Sequence, residues 1–320
     1  MTRLSQGSDK MEQKMASALP LITAVVSTRN RDDRVVRTIR SILDNDYPHF
    51  KIIVVDQSQD GSTESSLKPF QADPCFYYIR SDTEGISAGR NLGVSKAQSE
   101  IIAFTDDDCE ASPQWLSELV AAFLSDDRIG IVFGNSLPGR YDRRLGFIPA
   151  FVRREPFLTN RIDQMHHING SGACMGIRKS LWHLLGGFDE ALGVGAPFQS
   201  AEEMDFTFRA LLANGFVYEV PEVMVVHHGF RTWEQGKTLI QSYLYGIGAM
   251  IVKHLKCGHW AVIYLLFHLA WRWAFGRPVV DFGHRPSKIL RLRAFINGFW
   301  AGAIHPVDRA KGLFRDRKKR

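Results

Sequence analysis

The 320-residue chain is 45% hydrophobic and 23% charged, which is the ordinary composition of a globular protein with a substantial core in one or two domains. The four cysteines form no close CxxC pair, so neither a zinc site nor a disulfide framework is indicated, and we expect reduced thiols. The net charge of +6 is uneven, because residues 284–320 hold eleven basic and two acidic residues. This basic segment favours an anionic partner, either nucleic acid or a membrane surface.

The N-terminal part predicts a disordered segment followed by a β-α-β unit. Residues 1–18 are polar and lack the apolar core of a secretory signal. Leu21–Ser27 is an apolar run typical of a buried strand, and Asp32 or Asp33 can cap the next helix. The second strand, Lys51–Val55, is followed by Asp56. A unit of this kind has parallel strands and a right-handed crossover.

Strands and helices continue to alternate after this unit, which predicts a doubly wound α/β sheet. The predicted elements are a strand at Phe76–Ile79, a helix entered through the glycine-rich Gly85–Gly93, a strand at Ile101–Phe104, a helix at Pro113–Leu124 and a strand at Ile129–Phe133.

Three carboxylates follow the strand at Ile101–Phe104. Asp106, Asp107 and Asp108 cannot be packed unpaired in a core, so they must meet water or a cation at the carboxyl end of the strand. Carboxylate oxygens are ligands for Mg²⁺ and Mn²⁺. The alternative is a solvated acidic turn in which Asp108 or Ser112 caps the next helix.

The second half has a less regular pattern. Its predicted features are a small-residue stretch at Asn169–Ala173, a short helix at Lys179–Leu185, a mobile loop at Leu192–Ser200, a helix that opens at Glu202 and ends at Ala213, short strand material at Phe216–Val226 and a helix at Glu234–His254.

The most apolar window of the chain is Trp260–Phe275. It is shorter than the roughly 20 apolar residues that a spanning helix needs, and it contains His268 and Arg272. Its Trp and Arg content favours an interfacial helix. The alternatives are a buried C-terminal helix and a dimer contact.

Polar residues at the predicted strand ends have the chemistry that a nucleotide diphosphate requires. Asp56 ends one strand, the Asp106–Asp108 triplet ends another, and Arg90 lies on the helix between them. A carboxylate can accept from a base or ribose, and an Arg or a helix N-terminus can bind phosphate oxygens. A cation held by carboxylates neutralises a departing pyrophosphate.

Through these residues the chain resembles a family 2 glycosyltransferase, an inverting enzyme with the GT-A fold. The motifs that carry the resemblance cover roughly residues 20–235 and occur in the order of the family: Val25–Asn30, Val54–Asp56, Asp60–Thr63, Gly89–Gly93, Asp106–Asp108, Gly186–Glu190 and Glu202–Asp205.

The resemblance implies roles for individual residues in binding the donor and a metal ion. The expected nucleotide-sugar-binding residues are Thr28, Asn30, Asp56, Arg90, Asn91, Asp106 and Asp107. Asp108 and His227 would hold Mg²⁺ or Mn²⁺, with Asp106 as a further ligand; His228 is the alternative to His227.

The catalytic base is expected at the start of the helix that opens at Glu202. An inverting transfer needs a carboxylate that takes the proton of the acceptor hydroxyl. The family pattern Glu-Asp places this role on Glu203, which has the same chemistry with one more methylene. Asp205 and Glu202 are the alternatives, and both Glu residues could instead be favourable charges at a helix N-terminus.

The acceptor side is predicted from the second half. Glu202, Gly172 and Trp233 are the expected acceptor-binding residues, since an aromatic ring beside polar groups can stack on a sugar. The loop at 193–200 could close as a lid over the donor and exclude water.

These observations predict an α/β protein with a mixed GT-A sheet flanked by helices and a C-terminal helical extension. Residues 19–235 would form the glycosyltransferase domain, with a nucleotide-sugar half at 19–135 and an acceptor half at 136–235. Residues 236–320 would form a helical, basic region that contacts the inner membrane.

The predicted function is metal-dependent transfer from a UDP- or dTDP-sugar to a glycan or lipid-linked acceptor, at the cytoplasmic face of the membrane, in cell-surface polysaccharide or glycolipid synthesis. The alternatives are a sugar nucleotidyltransferase, disfavoured because Ser27–Asn30 lacks a glycine-rich phosphate loop, and a non-catalytic nucleotide- or glycan-binding subunit. We expect no nucleic-acid partner, because the chain has no RNA-binding or helix-turn-helix motif.

Overall fold

The computed structural model describes residues 19–275 and 287–315. The N-terminal segment 1–18, for which the sequence predicts disorder, lies outside the described residues, as do 276–286 and 316–320.

The first half forms four parallel strands joined by helices. Its elements are β1 (Ile22–Thr28), α1 (Asp32–Leu43), β2 (Phe50–Asp56), α2 (Ser62–Leu67), β3 (Phe76–Arg80), α3 (Ile86–Lys96) and β4 (Ile101–Phe104). The strands lie in the order β3-β2-β1-β4. Thr28 is opposite Asp56 in the register of β1 and β2, so the polar residues after these strands meet at one edge of the sheet.

The second half completes the sheet with strands of both directions. Its elements are β5 (Cys109–Ala111), α4 (Trp115–Ser125), β6 (Ile129–Pro138), β7 (Gly146–Phe147), β8 (Phe157–Thr159), β9 (Met175–Arg178), α5 (Lys179–Leu185), α6 (Glu202–Leu212), β10 (Phe216–His227) and β11 (Arg231–Thr232). Among the described residues, the main sheet has nine strands, with β9-β6-β10-β5 following β4 and β8 paired to β10.

The strand β9 makes the sheet mixed, because it lies antiparallel to both β4 and β6. The sequence does not predict it: Met175–Arg178 is a short run that follows the small-residue stretch. The predicted α/β class with a mixed sheet flanked by helices is confirmed.

The strand β10 differs from the short strand material predicted at 216–226. It is one strand of 12 residues, although it contains Pro221. The register against β6 shifts between Glu219 and Met224, and such an irregularity accommodates a proline that cannot donate a ladder hydrogen bond.

The core lies on both faces of the sheet. Val26 and Val54 belong to one buried cluster with Trp115, whereas their neighbours Val25 and Val55 belong to a second cluster. This alternation follows from the period of two along a strand. Burial of both faces explains the nearly continuous apolar runs of β1, β2 and β4.

In the part of the chain that the structure describes, three helices follow the sheet: α7 (Trp233–Lys256), α8 (Val262–Phe275) and α9 (Lys288–Ala303), with a small hairpin of β12 (Val307–Asp308) and β13 (Leu313–Phe314). The capping box of Thr232 and Gln235 starts α7. Within residues 19–275 and 287–315, none of the helices has the length and apolarity required to cross a bilayer.

Candidate functional site

A cavity of about 620 Å³ opens where the carboxyl ends of β1 and β4 meet α6 and the C-terminal helices. The predicted site residues that line it are Thr28, Arg90, Asp106, Asp107, Asp108, Glu202, Glu203 and His227. Residues distant in the sequence therefore converge on one cleft, at the edge of the sheet where open α/β proteins bind ligands.

The Asp triplet lies in the turn between β4 and β5 and is largely enclosed. Asp107 and Asp108 are buried, and the side chain of Asp106 is 31% exposed. Helix α4 begins at Trp115 without a side-chain cap, so neither Asp108 nor Ser112 has the capping role considered as an alternative.

His227 and Asp108 form the most closely coupled pair of the cleft. His227 Nε2 lies 3.3 Å from Asp108 Oδ1, and His227 Nδ1 lies 3.0 Å from the carbonyl oxygen of Pro149. Burial raises the pKa of Asp108, but the hydrogen bond and charge of His227 outweigh burial, and the net pKa is lowered. Burial lowers the pKa of His227, but Asp108 outweighs it and the net pKa is raised.

These groups have the chemistry of a metal site. One ligand atom from each of Asp106, Asp108, Cys109 and His227 lies within 4.8 Å of the others. Because the Pro149 carbonyl can only accept, Nδ1 of His227 carries the proton and Nε2 is left for a cation. Burial raises the pKa of the Cys109 thiol well above its ordinary value, so the donors that fit Mg²⁺ or Mn²⁺ are the two carboxylates and the imidazole.

Arg31 is a cleft residue to which the sequence analysis gave no role. Its Nε atom lies 3.4 Å from Asp107 Oδ1, and its Nη2 atom lies 3.9 Å from Asp108 Oδ2. Burial raises the pKa of Asp107 to about 7, although the Arg31 charge opposes this shift. The signal in the sequence that could have identified Arg31 was its position in the polar turn after β1.

Arg90 joins the donor side of the cleft to α6. The buried guanidinium lies 3.4 Å from Asp106 Oδ1, 3.5 Å from Glu202 Oε1 and 3.7 Å from Glu203 Oε1. A single fixed positive charge therefore balances carboxylates from both halves of the chain.

The two Glu residues at the start of α6 have different environments. Glu202 is buried, whereas the side chain of Glu203 is 23% exposed. Burial and the charge of Glu203 raise the pKa of Glu202, which favours its protonated form. Glu203 accepts a hydrogen bond of 2.9 Å from the backbone N–H of Gly172, and that contact fixes its carboxylate.

Gly172, which the sequence predicts to bind the acceptor, makes this contact through its backbone N–H. A Cβ atom there would lie 2.2 Å from Arg90 Nη2 and 2.5 Å from Glu203 Oε1. Only glycine therefore lets the backbone approach both side chains. Its neighbours Ser171 and Ala173 line the cavity.

Asp205, the alternative base, is held away from the cavity lining. It is fully buried and lies 2.5 Å from Lys253 Nζ, 2.8 Å from Arg209 Nε and 2.8 Å from His254 Nε2. Burial raises the pKa of Asp205, but Lys253 and Arg209 outweigh burial and lower it. Asp205 thus links α6 to α7 through an internal ion cluster.

Asp56 and Asn30, both predicted to bind the nucleotide, are not part of the cavity lining. Asp56 is buried and accepts hydrogen bonds from Ser58 N at 2.9 Å and from the Tyr78 hydroxyl at 2.7 Å. Asn30 is exposed, has a left-handed φ of 55°, and its N–H donates to Ser58 Oγ. Both residues shape the turn that carries Thr28.

Asn91 and Trp233 also make contacts outside the cavity lining. The amide of Asn91 binds Phe188, Glu190 and Trp182, and it anchors the turn that follows α5. Trp233 stacks on Phe147 at a centroid distance of 5.5 Å. Its Nε1 atom donates to the carbonyl oxygen of Arg144.

Further parts of the cavity wall come from the loop before α6, from β6, from residues 149–173 and from the C-terminal helices. Val194 and Gly195 line the cavity, and the loop packs through the buried Phe198 and a hydrogen bond from Ile86 N to Val194 O. The lining residues that sequence reasoning did not assign include His166, Arg231, Leu239, Tyr243, Ile247, Leu265, His268 and Leu269. For those on α7 and α8 the sequence signal is weak, because these helices have apolar residues on several faces.

Comparison with known proteins finds related sequences. Residues 23–185, which are 163 of the 320 residues, match the family model described as Glycosyl transferase family 2. The chain is 30% identical over 125 residues to glycosyltransferase AglE of Haloferax volcanii, a match covering 38% of this chain and 41% of AglE. It is 30% identical over 122 residues to GalNAc(5)-diNAcBac-PP-undecaprenol beta-1,3-glucosyltransferase of Campylobacter jejuni, covering 37% and 39%.

A solved structure has a similar fold. S. aureus TarS 1-349 in complex with UDP superposes with a TM-score of 0.52 at 18% identity, covering 71% of this chain and 65% of that one. The curated matches span only about two fifths of the length of those relatives. The mixed sheet with its cleft at the strand ends is a GT-A fold, the predicted resemblance is confirmed, and the chain belongs to glycosyl transferase family 2.

Proposed function

We propose that this protein is an inverting, metal-dependent glycosyltransferase that uses a nucleotide-diphosphate sugar. The observation that carries the proposal is that the carboxylate of Glu203 shares one cavity with Asp106, Asp108 and His227, with Arg90 between the two groups. A cation site and a positioned carboxylate on one cleft are what such a transfer requires.

The donor would bind at the edge of the sheet formed by β1 and β4. Thr28, Asp106 and Asp107 would face the nucleoside and ribose, and Arg31 and Arg90 would lie near the phosphates. Arg guanidinium groups bind phosphate oxygens through charge-assisted hydrogen bonds. A UDP- or dTDP-sugar is the proposed donor, and the fold shared with TarS, whose structure contains UDP, supports uridine. Asp56, Asn30 and Asn91 would act by holding the surrounding turns.

Asp108 and His227, with Asp106, would hold Mg²⁺ or Mn²⁺. The donor set fits, since His227 is oriented by Pro149 and presents Nε2 toward Asp108. A bound cation would neutralise negative charge on the departing nucleotide diphosphate.

Glu203 would act as the general base. Its carboxylate would take the proton of the acceptor hydroxyl as that oxygen bonds to the anomeric carbon and the bond to the diphosphate oxygen breaks. The N–H of Gly172 holds the carboxylate in position. Glu202, in its protonated form, would donate a hydrogen bond to the acceptor rather than serve as the base.

The acceptor would be a glycan or a lipid-linked saccharide in polysaccharide or glycolipid synthesis. The name of the Campylobacter relative, which contains an undecaprenol-linked glycan, supports this class. Residues 19–135 would form the donor half, 136–235 the acceptor half, and 236–320 a region in peripheral contact with the cytoplasmic face of the membrane. Gly172 would act on the acceptor side by holding the carboxylate of Glu203. Trp233 would act there by packing on Phe147.

A thermal-shift screen against UDP-, dTDP- and GDP-sugars, with and without Mn²⁺, tests the proposal. A ligand that binds only the folded state raises the melting temperature. We expect the largest rise with a UDP- or dTDP-sugar in the presence of Mn²⁺, and a smaller rise in Asp108→Asn. If no nucleotide sugar stabilises the protein under any condition, the proposal is wrong.

A further inference from the structure

The helix α8 has two chemically different faces. Trp260, just before the helix, and Ile263, Tyr264, Phe267 and Trp271 are 41% to 67% exposed. At about 100° per residue these five positions fall within one arc of about 100°. An exposed aromatic stripe of this kind is unusual on a protein surface and marks an interaction site.

The opposite face of α8 forms part of the cavity wall. Leu265, His268 and Leu269 line the cavity, and Val262 is fully buried. The helix therefore separates the cavity from the outer surface by its own thickness, which is about 10 Å.

The helix α9 is also apolar on its outer side. Gly298 and Gly302 bring it so close to α7 that a Cβ at either position would lie 1.9 Å from Tyr245 O or 2.7 Å from Val252 Cγ1. Ile289, Leu292, Ile296, Trp300 and Ile304 lie on the other side of the helix and are exposed. Because the glycines fix which side packs on α7, the apolar stripe cannot turn inward.

The described C-terminal part carries more basic than acidic side chains. Neither α8 nor α9 contains an acidic residue. The exposed basic residues of the range 287–315 are Lys288, Arg293, Arg309, Lys311 and Arg315, and the acidic residue of that range, Asp308, is half-buried. Aromatic and aliphatic side chains flanked by cations match a membrane surface that contains anionic lipids, where each nearby basic residue adds attraction.

We propose that the outer faces of α8 and α9 bind the surface of an anionic lipid bilayer. Trp and Tyr favour the interfacial layer of a bilayer, which fits the aromatic stripe of α8 better than the stripe of α9. The two helices lie on the surface and do not cross it. This docking places the cavity about 10 Å, the thickness of α8, from the membrane surface. The role of this placement in catalysis rests on the proposed function, in which a lipid-linked acceptor brings its sugar from the membrane to Glu203.

Vesicle flotation tests the inference directly. The full-length protein is mixed with vesicles of phosphatidylcholine alone, or of phosphatidylcholine and phosphatidylglycerol in equal parts. Two triple variants remove the stripes: Ile263→Ser with Phe267→Ser and Trp271→Ser on α8, and Leu292→Ser with Ile296→Ser and Trp300→Ser on α9. The matched control changes three equally exposed residues elsewhere, Leu124, Leu145 and Leu184, to Ser.

We expect the wild type and the control to float with the anionic vesicles and to bind neutral vesicles more weakly. Each stripe variant should lose about tenfold or more in partitioning, since it loses three large apolar groups. All variants should keep the melting temperature of the wild type, because the changed side chains are exposed. If either stripe variant floats like the wild type, the inference is wrong for that face. If the stripes pair two copies of the chain instead, sedimentation without lipid will show a dimer that the variants abolish.

Transfer assays separate this inference from the proposed function. The α8 variant should keep its activity toward a water-soluble acceptor saccharide and lose it toward a lipid-linked acceptor in vesicles. A wild type that floats but transfers no sugar would refute the proposed function and leave the membrane surface standing. A wild type that transfers sugar but does not float would refute only the membrane surface.

Discussion

The Nε2 atom of His227 lies 3.3 Å from Oδ1 of Asp108, while its Nδ1 atom faces the carbonyl oxygen of Pro149. The carbonyl determines which ring nitrogen keeps its proton, so the other nitrogen can exchange a proton for a metal ion. The C-terminal end of β10 and the turn after β4 meet at this pair, although 118 positions separate them in the sequence.

Removal of either member of this pair should weaken Mn²⁺ binding. We expect Asp108→Asn and His227→Ala to lower the affinity by at least about tenfold to a hundredfold, the range found when groups that support metal ligands are changed. Calorimetric titration with Mn²⁺ in the presence of UDP measures the effect. Cys109→Ala is the matched control, since its thiol is adjacent but stays protonated. An equal loss of affinity in the control would contradict the assignment of the ligands.

The substitution Gly172→Ala should impair catalysis more than folding. The new methyl group would overlap Arg90 and Glu203, so both side chains must move and the base loses its position. We expect kcat to fall by about a hundredfold, because small misplacements of catalytic groups have effects of that size. Steady-state kinetics and thermal unfolding should be measured together. Gly258→Ala is the control: its φ of +80° makes the change destabilising, but it lies in open space and should leave kcat unchanged.

The substitution Asp205→Asn should destabilise the whole protein. It leaves Arg209 buried without a counter-charge and Lys253 with Asp189 alone, and breaking a buried pair in this way costs about 3–5 kcal/mol. Urea unfolding measures the loss. Asp142→Asn, which removes an exposed pair with Arg144, should change stability little. If Asp205→Asn folds with normal stability and is only inactive, Asp205 is the base and the assignment to Glu203 is wrong.

The contribution of His254 to stability should fall in mild acid. Burial, with help from the charge of Lys253, lowers the pKa of His254 to about 4 despite its hydrogen bond to Asp205. The unfolded chain takes up this proton near a pKa of about 6.5. At this histidine the unfolded state therefore binds more protons between these values, and its contribution to the free energy of unfolding decreases by up to about 3 kcal/mol as pH falls from about 6.5 to about 4. The raised pKa values of Asp107 and Glu202 act in the opposite direction, so the effect of His254 is measured as a difference between the wild type and a variant.

Urea midpoints measured across this pH interval test the prediction. His254→Gln should be less stable than the wild type at neutral pH, and the difference in the free energy of unfolding between the two should become smaller as pH falls. His183→Gln, at an exposed histidine, should show the pH dependence of the wild type. A difference between the wild type and His254→Gln that stays constant between about pH 6.5 and about pH 4 would contradict the prediction.

The sequence predicts the first half of the fold well, because each strand is a continuous apolar run that ends at a polar turn. The strand at Ile101–Phe104 and the helix after β1 agree with the structure, but the N-cap of that helix is Arg31 and not Asp32 or Asp33. The strand Met175–Arg178 was missed because its pairing is non-local: it is inserted between β4 and β6, and four residues provide little periodic signal.

The location of a residue in the cleft was predictable where a motif fixes it at a strand end or helix start, as for Asp108, Glu203 and His227. It was not predictable where the role depends on packing. Asp205 and Glu203 are two positions apart and both acidic, yet the helix turns one toward Lys253 and the other toward Arg90. The contribution of α8 to the cavity wall likewise depends on tertiary packing that the apolar pattern does not specify.

Whether Glu203 is the general base is tested most directly by comparing Glu203→Gln with Glu202→Gln. Both variants are measured in a sugar-transfer assay and by calorimetric binding of the nucleotide-sugar donor. We expect Glu203→Gln to bind the donor normally but to lose about 10²–10⁴-fold in kcat, the typical contribution of a general base. Glu202→Gln should retain most of its activity, because an amide resembles the protonated acid that the raised pKa of Glu202 favours. Full transfer activity in Glu203→Gln, or loss of transfer in Glu202→Gln alone, would contradict the assignment of Glu203 as the general base.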